Sequence, residues 1–245
     1  MTSLKWGLIG ASVIDAMRAS CGTVLGVWSG AEARAQEFAA DHSLPVGTTQ
    51  VGELLAAGIG AVYISSTNDK HFDQTLRALK AGKHVLCEKP LALDADQAEA
   101  MVEFADEQNL VLAANHHLPG SPLHAAVRGL VSDGAIGEVL SARVSHAAQL
   151  PERLRGWRLG TQTPGSGVIL DITCHDASVL NPLLGEPVEV TALAVQQARW
   201  NQGGQDDAVM TVIKYAGPDG RPVLAQTHDS FTVGYAKTSL EVHGT

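Results

Sequence analysis

The sequence predicts an α/β first half, a parallel sheet wound with helices, and an α+β second half built on a mostly antiparallel open sheet. Three observations predict it. Short apolar runs, several rich in β-branched residues, alternate with amphipathic stretches up to about residue 115; beyond that point the strand-like runs alternate apolar with polar residues. The chain has 245 residues, 45% of them hydrophobic, enough for two domains with a core each. The expected domains are 1–115 and 116–245, with no long linker, internal repeat or low-complexity segment between them.

In the first half the strands fall at Trp6–Ile9, Thr23–Trp28, Ala61–Ile64, His84–Cys87 and Leu110–Ala113. Asp94, with Gln97 three residues on, marks a helix start. Ala98, Met101, Val102 and Ala105 then repeat at helical spacing, so one face of that helix packs on the sheet. In the second half a helix is expected over Ser121–Ser132, then strands at Val139–His146, Val188–Leu193, Val209–Tyr215 and Val223–His228. Alternation in the first of these turns Leu140, Ala142 and Val144 inward, with Ser141, Arg143 and Ser145 facing solvent. Between the first two strands, "GVILDITCHDASVLNPLLG" reads as an apolar helix ended by Pro182 and Gly185.

Charge and cysteine usage exclude several classes. The net charge is -9, and no run of five basic residues occurs, so nucleic acid is not an expected partner. Three cysteines, Cys21, Cys87 and Cys174, have no CxxC spacing and signal neither a disulfide framework nor a thiolate zinc site. A reducing cytoplasm is the expected compartment. No apolar run reaches the ~18 residues of a membrane span, and no secretory signal is read at the N-terminus.

"GLIGAS" after a strand fits a dinucleotide-binding turn only in part. Of the three small residues in GxGxxG, Gly10 is present, while Ser12 and Asp15 occupy the other two places. Any tight turn after a strand would look similar. "AGKHVLCEKPLA", Ala81 to Ala92, is more specific, because it sets Glu88 and Lys89 at the carboxyl end of a strand stopped by Pro90. In an open α/β sheet, ligands bind at that edge. Asp171 and His175 are four residues apart, which puts a carboxylate and an imidazole on one face of an apolar helix. A satisfied core hydrogen bond and an acid/base pair both fit that spacing. His116 and His117, adjacent in an extended segment, should point to opposite faces, so no metal cluster with His175 and Asp171 is expected.

On these residues the chain resembles the Gfo/Idh/MocA family of NAD(P)-dependent oxidoreductases, whose "AGKHVxCEKPxA" signature it matches at Glu88, Lys89 and Pro90. The resemblance continues through "STNDKHF" from Ser66, "NHHL" from Asn115, "GWRL" from Gly156, "GVILDITCHD" from Gly167 and "LEVHGT" at the end. It implies a Rossmann domain followed by a substrate-binding domain, and an enzyme that reduces a cyclic keto-sugar with NADPH. A sugar, inositol or diol dehydrogenase, or a catalytically silent ligand-binding or regulatory relative, are the alternatives.

The resemblance also implies roles. Lys89, Asp171 and His175 become the catalytic or substrate-orienting trio, with His175 as acid/base, Lys89 polarising the carbonyl and Asp171 orienting. Gly10, Ala11, Ser12, Ser66, Thr67, Asn68, Glu88, Lys89, Asn115, Trp157 and Arg158 are expected to meet the cofactor, and His116 or His117 to line the substrate pocket. The second strand ends in "WSGAEAR", where Ser29 replaces the usual acid and Arg34 could grip a 2′-phosphate, so NADP is favoured, NAD being the alternative. A solvated Arg34 on a helix face is equally compatible. The expected partner is a small sugar, and the assembly a monomer or homodimer.

Two departures from the family pattern stand out. Only about a dozen residues separate Gly10 from Gly22, near the minimum for a crossover that includes a helix, so the helix start that cradles pyrophosphate is short. The second sheet is expected to be truncated at Thr245, leaving an unpaired edge.

Overall fold

The computed structural model describes residues 3–10, 13–20, 22–160, 164–217 and 220–245. The expected cofactor residues Ala11 and Ser12 lie outside the described residues, as does Cys21. The chain divides into two compact units, Met1–Asn115 and His116–Thr245.

The first unit runs β1 (Lys5–Ile9), α1 (Ile14–Ala19), β2 (Thr23–Trp28), α2 (Glu32–Asp41), β3 (Val46–Thr48), α3 (Val51–Ala56) and β4 (Ala61–Ile64). A short 3-10 turn (Asn68–Lys70), α4 (His71–Lys80), β5 (His84–Glu88), α5 (Ala95–Glu107) and β6 (Leu112–Asn115) complete it. The six strands are ordered β3-β2-β1-β4-β5-β6 and all pair in parallel. All four residues of β4 are buried, as expected of a central strand covered on both faces. One face packs Ile9, Val62, Ile64, Val85 and Leu79; the other packs Leu8, Val27 and Tyr63. The order reverses between β1 and β4, which opens a crevice at their carboxyl ends.

The Asp94 cap forms: Asp94 Oδ1 accepts from the Gln97 N–H at 2.8 Å. The buried stripe of α5 is narrower than its spacing suggested. Met101 and Ala105 are buried, whereas Val102, on the flank, is 45% exposed. The last strand begins two residues later than Leu110, because Asn109 takes φ 53° and the Leu110 N–H still bonds to the Ala105 carbonyl of the helix.

The second unit contains α6 (Pro122–Ser132), β7 (Val139–Ala147), α7 (Arg155–Arg158) and a π-helical turn (Ile169–Thr173) that runs into α8 (Cys174–Leu184). β8 (Pro187–Val195), β9 (Ala208–Tyr215), β10 (Val223–Ser230) and β11 (Ser239–Gly244) follow. Its sheet is ordered β11-β7-β10-β9-β8, with three antiparallel interfaces and one parallel one, β7 with β10. One face carries Ala142, Val144, Ile213, Tyr215, Val223 and Ala225 against Val179, Leu180, Leu183 and Leu184 of α8. Complete burial of a side chain such as Leu180 contributes about 1.5–3 kcal/mol.

Three expectations need correction. Pro182 does not end the helix: α8 continues through it to Leu184 and stops at Gly185, whose φ is 87°. The lost N–H bond is offset by burial of Leu183 and Leu184 beyond the proline. Leu140 does not face inward but is 55% exposed, since it precedes the first β7 residue paired with β10, Ser141, and β11 shifts register at His243/Gly244. The outer face of this sheet is also more apolar than alternation implied, with Leu193, Met210, Val212 and Leu224 exposed.

Candidate functional site

The first unit presents its candidate residues at the carboxyl edge of the parallel sheet. Gly10 follows β1 with φ 99°, and a Cβ there would lie 2.3 Å from Ser65 Oγ and 2.9 Å from the Ser65 carbonyl oxygen. Only glycine permits the turn to pass so close to the end of β4. The Gly10 N–H bonds to Trp28 O at 3.3 Å and the Ser65 N–H to Ile9 O at 2.7 Å, which stitches β2, β1 and β4 together at the crevice. Ser29 donates its N–H to Thr48 O at 3.1 Å, and its Oγ accepts from the Ala31 N–H at 3.4 Å. Arg34 is exposed on the first turn of α2. The structure thus brings Gly10 beside Ser65 and leaves Ser29 and Arg34 at the end of β2. A tight glycine turn at the switch point of a parallel sheet is where a dinucleotide binds in folds of this type.

The loops after β4 and β5 are tied to each other. His71, fully buried, bonds through Nδ1 to Pro90 O at 2.7 Å and through Nε2 to Ser66 O at 3.2 Å. Ser66 Oγ donates to Gln74 Oε1 at 2.6 Å. Thr67 precedes the 3-10 turn without capping it through its side chain, and Asn68 is buried. Glu88, expected at the cofactor, is tied into the sheet edge: its Oε1 accepts from Tyr63 Oη at 2.5 Å and from Asn115 Nδ2 at 2.7 Å, and its Oε2 from the Lys89 N–H at 3.3 Å. Lys89 leads into a cis peptide bond with Pro90. Sequence reasoning missed His71 and Tyr63, although His71 stands inside the quoted "STNDKHF".

In the second unit the histidines converge. The His175 ring lies 6.2 Å from that of His116, 5.1 Å from His117 and 6.4 Å from His146, edge-to-face in each case. Both His116 and His117 therefore reach His175, contrary to the expectation of opposite faces. The chain leaves its extended conformation at His116 and enters a turn over residues 117–120, closed by the Ser121 N–H on Leu118 O. Asp171, 4% exposed, accepts from Arg158 Nε at 2.8 Å, and the Arg158 guanidinium lies 4.6 Å from the centre of the Trp157 ring. The Arg158–Asp171 pair was not foreseen.

Beside His175 lies a second set of polar groups. His146 Nδ1 is hydrogen-bonded to Asp176 Oδ1, and Asp229 Oδ2 accepts from Thr173 Oγ1 at 2.7 Å. Burial, then the Asp176 carboxylate, pushes the Asp229 carboxyl up to about 8. Burial also raises the Tyr215 hydroxyl to about 12. None of these was visible as a motif, because their partners are distant in sequence.

A glycine turn at the switch point of a parallel sheet, followed by a unit that gathers imidazoles and a buried carboxylate, defines a nucleotide-dependent oxidoreductase. Residues 4–116 match the oxidoreductase family with an NAD-binding Rossmann fold, and residues 124–245 match the GFO/IDH/MocA C-terminal domain. The chain belongs to the Gfo/Idh/MocA family of NAD(P)-dependent oxidoreductases. It is 43% identical to a 1,5-anhydro-D-fructose reductase of Ensifer adhaerens, over 98% of this chain and 73% of that protein. It is 29% identical to an inositol 2-dehydrogenase of Rhizobium meliloti, over 99% of this chain and 73% of that one. An NAD-binding oxidoreductase from Klebsiella pneumoniae superposes with a TM-score of 0.85 at 26% identity, over 99% of this chain and 71% of that chain. Among the described residues no helix is long and apolar enough to cross a membrane.

Proposed function

We propose that the chain reduces the ketone of a cyclic sugar with NADPH, converting 1,5-anhydro-D-fructose to 1,5-anhydro-D-mannitol. The observation that carries this reading is the His175 cluster with Asp171 held by Arg158, in a chain 43% identical to a reductase of that sugar. The reduced nicotinamide supplies a hydride when bound. Gly10, Ser29, Arg34 and the Ser66–Asn68 loop are the first unit's groups for holding it, Arg34 taking the 2′-phosphate through its paired N–H donors.

Hydride addition turns the carbonyl oxygen into an alkoxide, which needs a proton. His175 delivers it, Lys89 polarises the carbonyl beforehand, and Asp171 keeps the surrounding groups oriented. His116 and His117, whose rings approach His175, contact the sugar. Oxidation of NADPH, followed by absorbance with a panel of keto-sugars, tests the reading. His175→Ala and Lys89→Ala should each lower kcat by about 10²–10⁴. Near-full turnover in either variant would remove that residue's role, and equal affinity for NADH and NADPH would remove Arg34's.

A further inference from the structure

We propose that His146, Asp176 and Asp229 form a binding site for one divalent cation, with a donor set suited to Zn²⁺. The three residues come from three elements: β7, α8 and β10. β7 and β10 pair in parallel with His146 directly opposite Asp229, so the two side chains leave the sheet on the same side. A candidate donor atom from each of the three residues lies within 4.8 Å of the other two.

The hydrogen bonding points to a missing positive charge. Asp176 and Asp229 are both 0% exposed, and neither is ion-paired to a lysine or arginine among the described residues. Asp176 Oδ2 and Asp229 Oδ1 are buried, and no described residue besides each other's carboxyl group offers them a hydrogen bond. Buried acceptors are normally satisfied, and two carboxylates in one dry site repel each other. Each carboxylate nevertheless has its second oxygen held, Asp229 Oδ2 by Thr173 Oγ1 at 2.7 Å and Asp176 Oδ1 by His146. The Thr173 contact is an outer one, of the kind that orients a residue ligating a metal.

One neutral imidazole and two carboxylates neutralise a divalent ion and supply three of the four ligands of an open tetrahedral zinc site. His146 also lines a cavity of about 150 Å³ with Leu118, His124 and Leu240. The expectation of no metal weighed His116, His117, Asp171 and His175, and none of those belongs to this set. An ion here would clamp α8, and with it His175, onto β7 and β10. That consequence is independent of the sugar-reductase reading.

The test is calorimetric titration of the chelator-treated full chain with ZnCl₂, with zinc content measured after dialysis and the melting temperature recorded in both states. One equivalent of Zn²⁺ and a raised melting temperature are expected. Asp229→Asn and Asp176→Asn should each weaken binding by at least 10–100-fold, while melting no lower than the wild type in chelator, because each relieves the crowding of two buried carboxyl groups. No zinc binding by the wild-type chain would mean that the two carboxylates share a proton, and would overturn the proposal. Undiminished binding in both variants would place the ion elsewhere, with the same result. Binding of Mg²⁺ but not Zn²⁺ would rule out the imidazole as a ligand and overturn it as well.

Discussion

Gly10→Ala isolates the physical requirement at the crevice of the first unit. The new methyl group meets two costs. Holding alanine at φ 99° costs about 1–2 kcal/mol, and crowding a packed turn costs about 1–3 kcal/mol more. The contacts divide the second cost into parts. Ser65 Oγ, at 2.3 Å, can rotate away, whereas the Ser65 carbonyl oxygen and carbon, at 2.9 and 3.0 Å, move only if the end of β4 moves. The expected loss is therefore about 2–5 kcal/mol, and Ser65→Ala in the same chain should restore a minor share of it. Because the chain has two units, a global melt would mix their transitions. Urea-dependent alkylation of Cys87, completely buried in the core of the first unit, reports that unit alone when read by peptide mass spectrometry. A Gly10→Ala midpoint equivalent to less than about 0.5 kcal/mol of loss, or complete rescue by Ser65→Ala, would refute the reasoning.

Further outcomes follow from other contacts. Arg158→Met leaves the buried Asp171 carboxylate without its guanidinium, and since Arg158 is itself about a quarter exposed the loss should be about 1–3 kcal/mol. Hydrogen exchange of second-unit peptides across a urea series checks it. Tyr63→Phe removes one donor to Glu88 and should cost about 1–2 kcal/mol in the Cys87 alkylation assay. Burial pushes the Cys87 thiol from 9.0 up to about 12. An acid whose folded pKa is raised adds stability that is complete below the unfolded value and is lost as pH climbs toward the folded one, so wild-type stability should fall between about pH 9 and 12. In Cys87→Ala this slope should be shallower, as read from melting temperatures across that range.

What could be read from the sequence was whatever one segment specifies by itself. The Asp94 cap, the end of β5 at "CEKP" and the glycine after β1 all depend on neighbours within a few residues, and periodicity or turn chemistry expresses them. Leu140 and Val102 failed because the burial of a strand or helix residue depends on where its neighbours end, which alternation does not encode. Pro182 failed because local helix breaking lost to burial of Leu183 and Leu184. Of the candidate sites, the Asp171/His175 spacing was visible. The Arg158–Asp171 pair, the Tyr63–Glu88–Asn115 set and the joining of Ser66 to Pro90 through His71 were not, since each couples segments brought together only by folding.

The single parallel interface of the second sheet has a consequence for how such a domain can change. Strands joined by a hairpin share a turn, so altering the loop alters which residues face each other. β7 and β10 share no turn; α7, α8, β8 and β9 all intervene. Insertions and deletions in that intervening stretch can reshape whatever a ligand meets, while His146 and Asp229 stay opposite each other. The pairing is indifferent to loop length, and new specificity can evolve around it without being solved again.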